Sequence, residues 1–434
     1  MAPRRIRPIT DAVALRCDGR AVTAQRDEPI AVALLAAGRT TLTRSVKYHR
    51  PRGPTCMAGR CDGCLMRVDG VPSVMTCRAR AAPGRVVETQ NVIGSAQLDL
   101  LEATDWFFPG GLDHHHMFTR FGPVNRAMQA VARRVAGIGR LPDRVAPVVP
   151  PERLDAEVLV VGAGVAGLEV ATEAARRGMD VLLVDEEPQP GGLLVWQPRS
   201  AITDRHANGA LAIVGELVAR ARAAGVRWLP NTCVVGVYDD VALCDAEDGP
   251  RLLRFRRIVV ATGTHEGAVD AVDADAPAVF GTRAAARLLA YGVLVGDAVV
   301  VAGEGAWTRA VAEALRDAGA RVEGPHALEA LRAVRTRGGR VRGAVLELDG
   351  ATRTVECDAV VVGPPPSAAY ELAAQAGARV VFDGRRFVVQ ADDEGRTGIA
   401  RLFAVGACTG RDTVEEALAQ ARRTAAALAE GGTT

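Results

Sequence analysis

Four cysteines crowd one stretch near the start of the chain. Cys56, Cys61, Cys64 and Cys77 have the spacing C-x4-C-x2-C-x12-C. Three thiols in a short loop, with a fourth returned by a hairpin, can surround a [2Fe–2S] cluster, whose irons take thiolate ligands. Gly59 and Gly63 supply the tight backbone such a loop needs. Leu65–Val68, the turn Asp69-Gly70 and Val71–Thr76 read as strand, turn and strand, which carries Cys77 back to the loop. Zinc is the alternative for four thiolates, but zinc ribbons usually carry two CxxC knuckles and only one CxxC occurs here. Cys17 is outside the pattern and reads as a buried apolar residue.

A second stretch, Val158 to Gly192, has the parts of a dinucleotide site. Val158–Val161 reads as a buried parallel strand. Gly162, Gly164 and Gly167 follow at GxGxxG spacing, with Ala163, Val165 and Ala166 between them. Gly162 makes the turn, Gly164 lets the backbone approach a pyrophosphate, and Gly167 lets helix and strand pack closely. The helix from Leu168 to Arg177 turns its N-terminus to the phosphates. Val181–Val184 is the next strand, and Asp185 at its end is placed for a ribose, with Glu186 as the fallback. Downstream, Ala261-Thr262-Gly263 ends a strand from Ile258, and Gly406-Ala407 opens a loop before a long final helix. A second unit of the same kind starts at Ala298: strand, Gly303, Gly305, a helix to Ala318 and a strand ending at Glu323. Thr308 replaces its third glycine. It reads either as an NAD site, with NAD favoured over NADP because no basic pair follows the strand, or as a degenerate domain that no longer holds a nucleotide.

These motifs need elements to hold them. The expected order is a hairpin at Arg16–Ala24, a short helix at Pro29–Ala37, the cysteine loop and its hairpin, a helix at Pro123–Val135 and a proline-rich linker at Leu141–Pro151. Alternating strands and helices follow. Trp106, Phe107, Phe108 and Phe118 concentrate aromatics in a chain where they form only 4% of residues, which suggests a packed interface. His114, His115 and His116 are adjacent, so their side chains diverge, and a polar loop is the better reading. The 434 residues give two to four domains. The expected domains are 1–105, a connector at 106–153, a flavin domain formed by 154–264 and 395–434, and an inserted NAD-like domain at 265–394. Lys plus Arg number 53 against 51 Asp plus Glu, a net charge of +2, which argues against a nucleic-acid partner. No apolar run is long enough for a membrane helix, no secretory signal is visible, and a cytoplasmic location with reduced thiols is expected.

The parts resemble known families. Gly191-Gly192 after the second strand resembles the FAD-type turn of two-dinucleotide-binding flavoproteins, and Ala261-Thr262-Gly263 resembles their ATG motif. The cysteine segment resembles plant-type ferredoxins, with a final gap closer to the cluster domains of molybdenum hydroxylases. The fold class is therefore α/β, a Rossmann-type two-dinucleotide-binding flavoprotein with an N-terminal α+β ferredoxin-like domain.

The order of landmarks is more specific. KYHRPRG before the cysteines, VLVVGAGVAGL, VATGTHE and the closing AVGACTG resemble the alpha-type subunits of multi-subunit amine and imino-acid oxidoreductases. That group includes heterotetrameric sarcosine oxidase, opine, proline and hydroxyproline dehydrogenases, and hydrogen cyanide synthase. The resemblance implies FAD held by Gly162, Gly164, Gly167, Asp185, Gly192, Thr262, Gly263 and Gly406, and FMN at the interface with a partner. It also implies a beta-type flavoprotein partner, where amine oxidation takes place, and a small additional iron–sulfur or gamma subunit. Electrons would pass through the cluster and FAD of this chain. Ala407 stands where an acid usually follows the glycine, which removes a carboxylate from the ribityl contacts. The chain stops at Thr434, so the folate-binding aminomethyltransferase-like part of sarcosine oxidase alpha is not implied. The competing reading is a self-contained NAD(P)H-dependent FAD/[2Fe–2S] reductase, and a third is an assembly subunit with vestigial sites.

Overall fold

The computed structural model describes residues 3–45, 49–100, 121–135, 141–142, 147–198 and 209–430. Trp106, Phe107, Phe108, Phe118, the three adjacent histidines, and Lys47 and Tyr48 of the KYHRPRG stretch lie outside the described residues. The chain divides into two compact units, Met1–Val145 with Ala268–Pro364, and Ala146–Gly267 with Pro365–Thr434.

The first unit starts with a five-stranded sheet. Its order is Arg20–Gln25, Ala12–Cys17, Val86–Glu88, Leu65–Val68 and Val71–Met75. The hairpin Ala12–Gln25 turns at Asp18-Gly19 and alternates inward and outward, so Val13, Leu15 and Cys17 face the core. Helix Ile30–Ala36 buries Ile30, Leu34 and Leu35 on it. A four-stranded parallel sheet follows in the order Val279–Gly281, Ala359–Gly363, Ala298–Gly303, Arg321–His326. A three-stranded meander, Leu331–Arg337, Arg340–Leu348 and Ala351–Val355, completes it. Both sheets share one apolar core, in which Leu34, Leu35 and Met66 join Phe280, Leu288 and Leu294. The strand Arg4–Arg5 pairs with Val293–Leu294 and ties the N-terminus to the later segment.

The second unit holds a seven-stranded sheet. Arg227–Leu229, Val181–Val184, Glu152–Val161, Arg251–Val260 and Leu402–Ala404 run parallel, and Val241–Ala246 and Thr232–Tyr238 add an antiparallel edge. Val158 to Val161 are buried, as a strand covered on both faces requires. The chain returns to this unit at Pro364–Pro365 rather than at 395. The reason is packing: Ala373, Ala378 and Val389 enter the same core as Leu159, Ile258 and Leu402. Gln375 also bonds both backbone groups of Val237. No described helix is long and apolar enough to cross a membrane.

Candidate functional site

The cysteine loop leaves the short strand Pro51–Arg52 and re-enters the sheet at Leu65. Its sulfurs form two pairs. Cys56 Sγ and Cys61 Sγ are 3.4 Å apart, and Cys64 bonds Cys77. Thr76 locks the second pair, donating through its Oγ1 to the Cys64 carbonyl at 2.7 Å. Backbone N–H groups of Ala58 and Arg60 donate to Cys56 Sγ at 3.4 and 3.2 Å. Cys61 is pulled down to about 5, first by the Cys56 thiol that donates to it and then by the N–H groups of Cys56, Gly63 and Thr55. Cys77 is lowered by the Cys64 thiol and the Gly59 N–H. As donors, Cys56 and Cys64 are pushed up. Gly63 is required because a Cβ there would lie 1.9 Å from the Gly53 carbonyl oxygen.

This donor set fits the cluster better than a single ion. Four-thiolate zinc needs the sulfurs to converge tetrahedrally on one point, and no group of three donors does so among the described residues. A two-iron centre divides its four cysteines between two irons, which matches two pairs. The surrounding N–H donors suit sulfurs that carry charge.

In the second unit the glycine turn is built to close tolerances. A Cβ on Gly162 would meet the Ala261 carbonyl oxygen at 2.4 Å, and one on Gly167 would lie 1.8 Å from the Gly162 oxygen. Around Gly164 no atom lies within 4 Å of a would-be Cβ, so its open side faces space. Gly164 is the N-cap of helix Val165–Arg176 and no side chain caps it, which leaves the first-turn N–H groups for an anion. Gly191 N–H donates to the Ala163 carbonyl at 2.8 Å, and Gly192 packs on Gly164. Gly406 rests on Ala166, where a Cβ would come within 2.8 Å of the alanine Cβ. Thr262 Oγ1 donates to the Ala369 carbonyl at 2.6 Å. Residues 162–167, 185, 191–192, 261–263 and 406 therefore gather around one turn.

Asp185 is engaged by that turn. It accepts from Ala163 N–H at 2.5 Å and Glu187 N–H at 2.7 Å, and desolvation pushes its carboxyl up to about 6. Each oxygen still has a lone pair for a ribose hydroxyl. Beside Ala407, Arg386 Nη2 stands 3.5 Å from the Ala407 carbonyl oxygen and pairs with Asp412. Four residues that the sequence reading passed over support the site. Buried Glu169 joins Arg220 at 2.9 Å and Arg422 at 2.6 Å, binding three helices together. Buried Gln420 accepts from Gly406 N–H at 2.9 Å. Thr413 and Glu416 form a capping box on the last helix. That box is legible as T-x-x-E, whereas Glu169 and Gln420 look like ordinary polar positions on a helix.

The second turn matches the first at its first glycine and differs at its second: Gly303, like Gly162, has positive φ, but Gly305 is left-handed where Gly164 has φ −71°, and Glu304 rather than a glycine is the N-cap of the helix. Gly303 has φ +144° and Gly305 φ +88°. Thr308 is accommodated by a glycine on the neighbouring strand: a Cβ on Gly363 would meet Thr308 Oγ1 at 2.4 Å. The following strand does not end at Glu323 but runs on to His326, which faces Ala302. Helix and strand thus pack closely without the third glycine.

Comparison with known proteins agrees with both halves. The "2Fe-2S iron-sulfur cluster binding domain" family matches residues 10–92, and "Pyridine nucleotide-disulphide oxidoreductase" matches residues 156–337. Sarcosine oxidase subunit alpha of Corynebacterium sp. (strain P-1) is 28% identical over 67% of this chain and 28% of its own length. The same subunit of Rhizobium meliloti (strain 1021) is 31% identical over 41% of this chain and 19% of its own length. The chain is a homologue of the alpha-type subunits of the sarcosine oxidase group. It spans about a quarter of the length of these curated relatives. L-proline dehydrogenase from P. horikoshii shares the fold over 97% of this chain and 74% of its own, with a TM-score of 0.75 at 18% identity. The chain is accordingly an oxidoreductase of the flavoprotein and [2Fe–2S] type, with a Rossmann-type α/β body behind a ferredoxin-like domain.

Proposed function

We propose that this chain is the electron-transfer subunit of a cytoplasmic multi-subunit amine or imino-acid dehydrogenase, taking electrons from a partner flavoprotein. In that reading a beta-type partner removes hydride from the carbon beside nitrogen, and the imine hydrolyses. The substrate is of the sarcosine, opine, proline or hydroxyproline type. FAD and the [2Fe–2S] centre supply one- and two-electron redox chemistry when bound; FMN at the partner interface and a small gamma or iron–sulfur subunit complete the assembly.

The observation that carries the reading is the two thiolate pairs in a chain that also holds a full glycine turn. In it, Cys56, Cys61, Cys64 and Cys77 ligate the cluster, and backbone N–H groups stabilise their charge. Gly164 and the first turn of its helix receive the pyrophosphate, Asp185 with Glu186 behind it orients the ribose, and Gly192, Thr262, Gly263, Gly406 and Ala407 close around the dinucleotide. Replacing Cys61→Ser tests the first half. Iron content and the reduced-state EPR signal should collapse while flavin is retained; unchanged iron and EPR would refute the assignment.

The close packing of helix and strand at Thr308 and Gly363 favours a second reading, in which NADH reduces the flavin directly. Stopped-flow mixing of the isolated chain with NADH separates the two: rapid bleaching supports the self-contained reductase, and no bleaching supports electron entry from a partner.

A further inference from the structure

The later parallel sheet of the first unit runs alongside the approach to the cysteine loop. Three contacts follow one another. Arg52 pairs with Asp275. Gly53 lies so near Pro277 that a Cβ on it would stand 3.2 Å from the proline Cα. Gly281 N–H donates to the Thr55 carbonyl at 2.8 Å. Gly281 ends the strand Val279–Gly281 and is held rigidly, because its neighbour Phe280 is fully buried and pairs with Val361.

The Thr55 carbonyl shares its peptide plane with the Cys56 N–H, and that N–H donates to Cys61 Sγ. A carbonyl that accepts a hydrogen bond makes the N–H of the same peptide a stronger donor, since hydrogen bonds in a chain polarise one another. Donors to cluster sulfurs favour the reduced, more negative state and so help set the potential. Gly281 lies far along the chain from the cysteines, outside the segment that folds around them.

We infer that Gly281 is a positioning residue for the cluster, its N–H acting through the Thr55–Cys56 peptide on Cys61 Sγ to raise the reduction potential. The inference rests on the [2Fe–2S] reading. It gives the second nucleotide-type domain a redox role that does not depend on a bound nucleotide.

The test is an EPR-monitored redox titration of the full chain. Gly281 has φ −67°, the angle that proline imposes, so proline removes the N–H and adds its ring without changing the backbone angle. Gly281→Pro should lower the reduced-to-oxidised ratio about tenfold at fixed ambient potential, a fall of about 59 mV for a one-electron couple. Gly281→Ala also adds a Cβ but keeps the donor, and should stay near wild type. Equal potentials for the proline and alanine variants would overturn the inference. If the proline variant does not hold iron, Pro277→Gly decides: it loosens the segment without changing charge or the Gly281 donor, the N–H it adds being at position 277. A fall in potential supports the inference and an unchanged value overturns it. Wild-type protein without iron or acid-labile sulfide would instead refute the cluster reading itself.

Discussion

Gly164→Ala separates ligand binding from folding at the first glycine turn. Gly164 has φ −71° and ψ −174°, an extended conformation open to any residue, and nothing lies within 4 Å of the added Cβ. Two small effects act on the free chain. Alanine is a poorer N-cap than glycine, by about 0.5–1 kcal/mol. It also reduces the freedom of the unfolded chain, a gain of about 0.4–1 kcal/mol. They nearly cancel, so flavin-free protein should keep its urea midpoint to within about 1 kcal/mol. The bound dinucleotide would meet the methyl where its pyrophosphate approaches, and such overpacking costs about 1–3 kcal/mol. FAD affinity should fall roughly 5- to 150-fold, read by titrating the flavin-free variant with FAD and following flavin fluorescence. Gly167→Ala is the contrast. Its Cβ would sit 1.8 Å from the Gly162 oxygen, so flavin-free protein itself should lose about 3 kcal/mol. Wild-type FAD affinity in Gly164→Ala would refute the placement of the pyrophosphate; a loss of stability as large as that of Gly167→Ala would refute the open approach.

Asp185 gives a pH signature. Desolvation raises its carboxyl from 3.8 to about 6, so between those values the folded chain holds the proton more tightly than the unfolded one. The contribution of this position to stability therefore declines as pH rises from about 4 to about 6 and is level above. Chemical denaturation of flavin-free wild type against Asp185→Asn should show that slope only in wild type. Thiol reactivity should sort the cysteines: in cluster-free protein at neutral pH, iodoacetamide followed by peptide mass mapping should find Cys61 modified first. Cys17, Cys244 and Cys357, pushed up to about 12 by burial, and Cys408, pushed up to about 11, should remain unmodified until unfolding. Glu169→Gln removes the buried charge that Arg220 and Arg422 share, and should lower stability by about 1–3 kcal/mol in urea titration.

The two motifs were legible because their chemistry is local. A metal loop needs its cysteines within reach of one another, and a dinucleotide turn needs glycine where a Cβ would strike backbone, as at Gly162 and Gly167. The buried strand before that turn was legible from its continuous valine and leucine run. What depended on distant partners was not. The replacement of the third glycine by Thr308 is compensated by Gly363 on another strand. The return of the chain at Pro365 follows from where Ala373 and Val389 pack. The strand expected to end at Glu323 continues through Gly324-Pro325 to His326 because it lies at the sheet edge, where proline is tolerated. Strands Val241–Ala246 and Leu331–Arg337 also went unread, being held by antiparallel neighbours more than by their own pattern.

The most direct test of the electron-transfer account is purification of a tagged copy from its native host, with mass spectrometry of the companions and analysis of flavin, iron and sulfide. The account predicts a companion flavoprotein with its own glycine turn, and amine-dependent reduction of the cluster in this chain. A chain that purifies alone and whose flavin is bleached by NADH would contradict it.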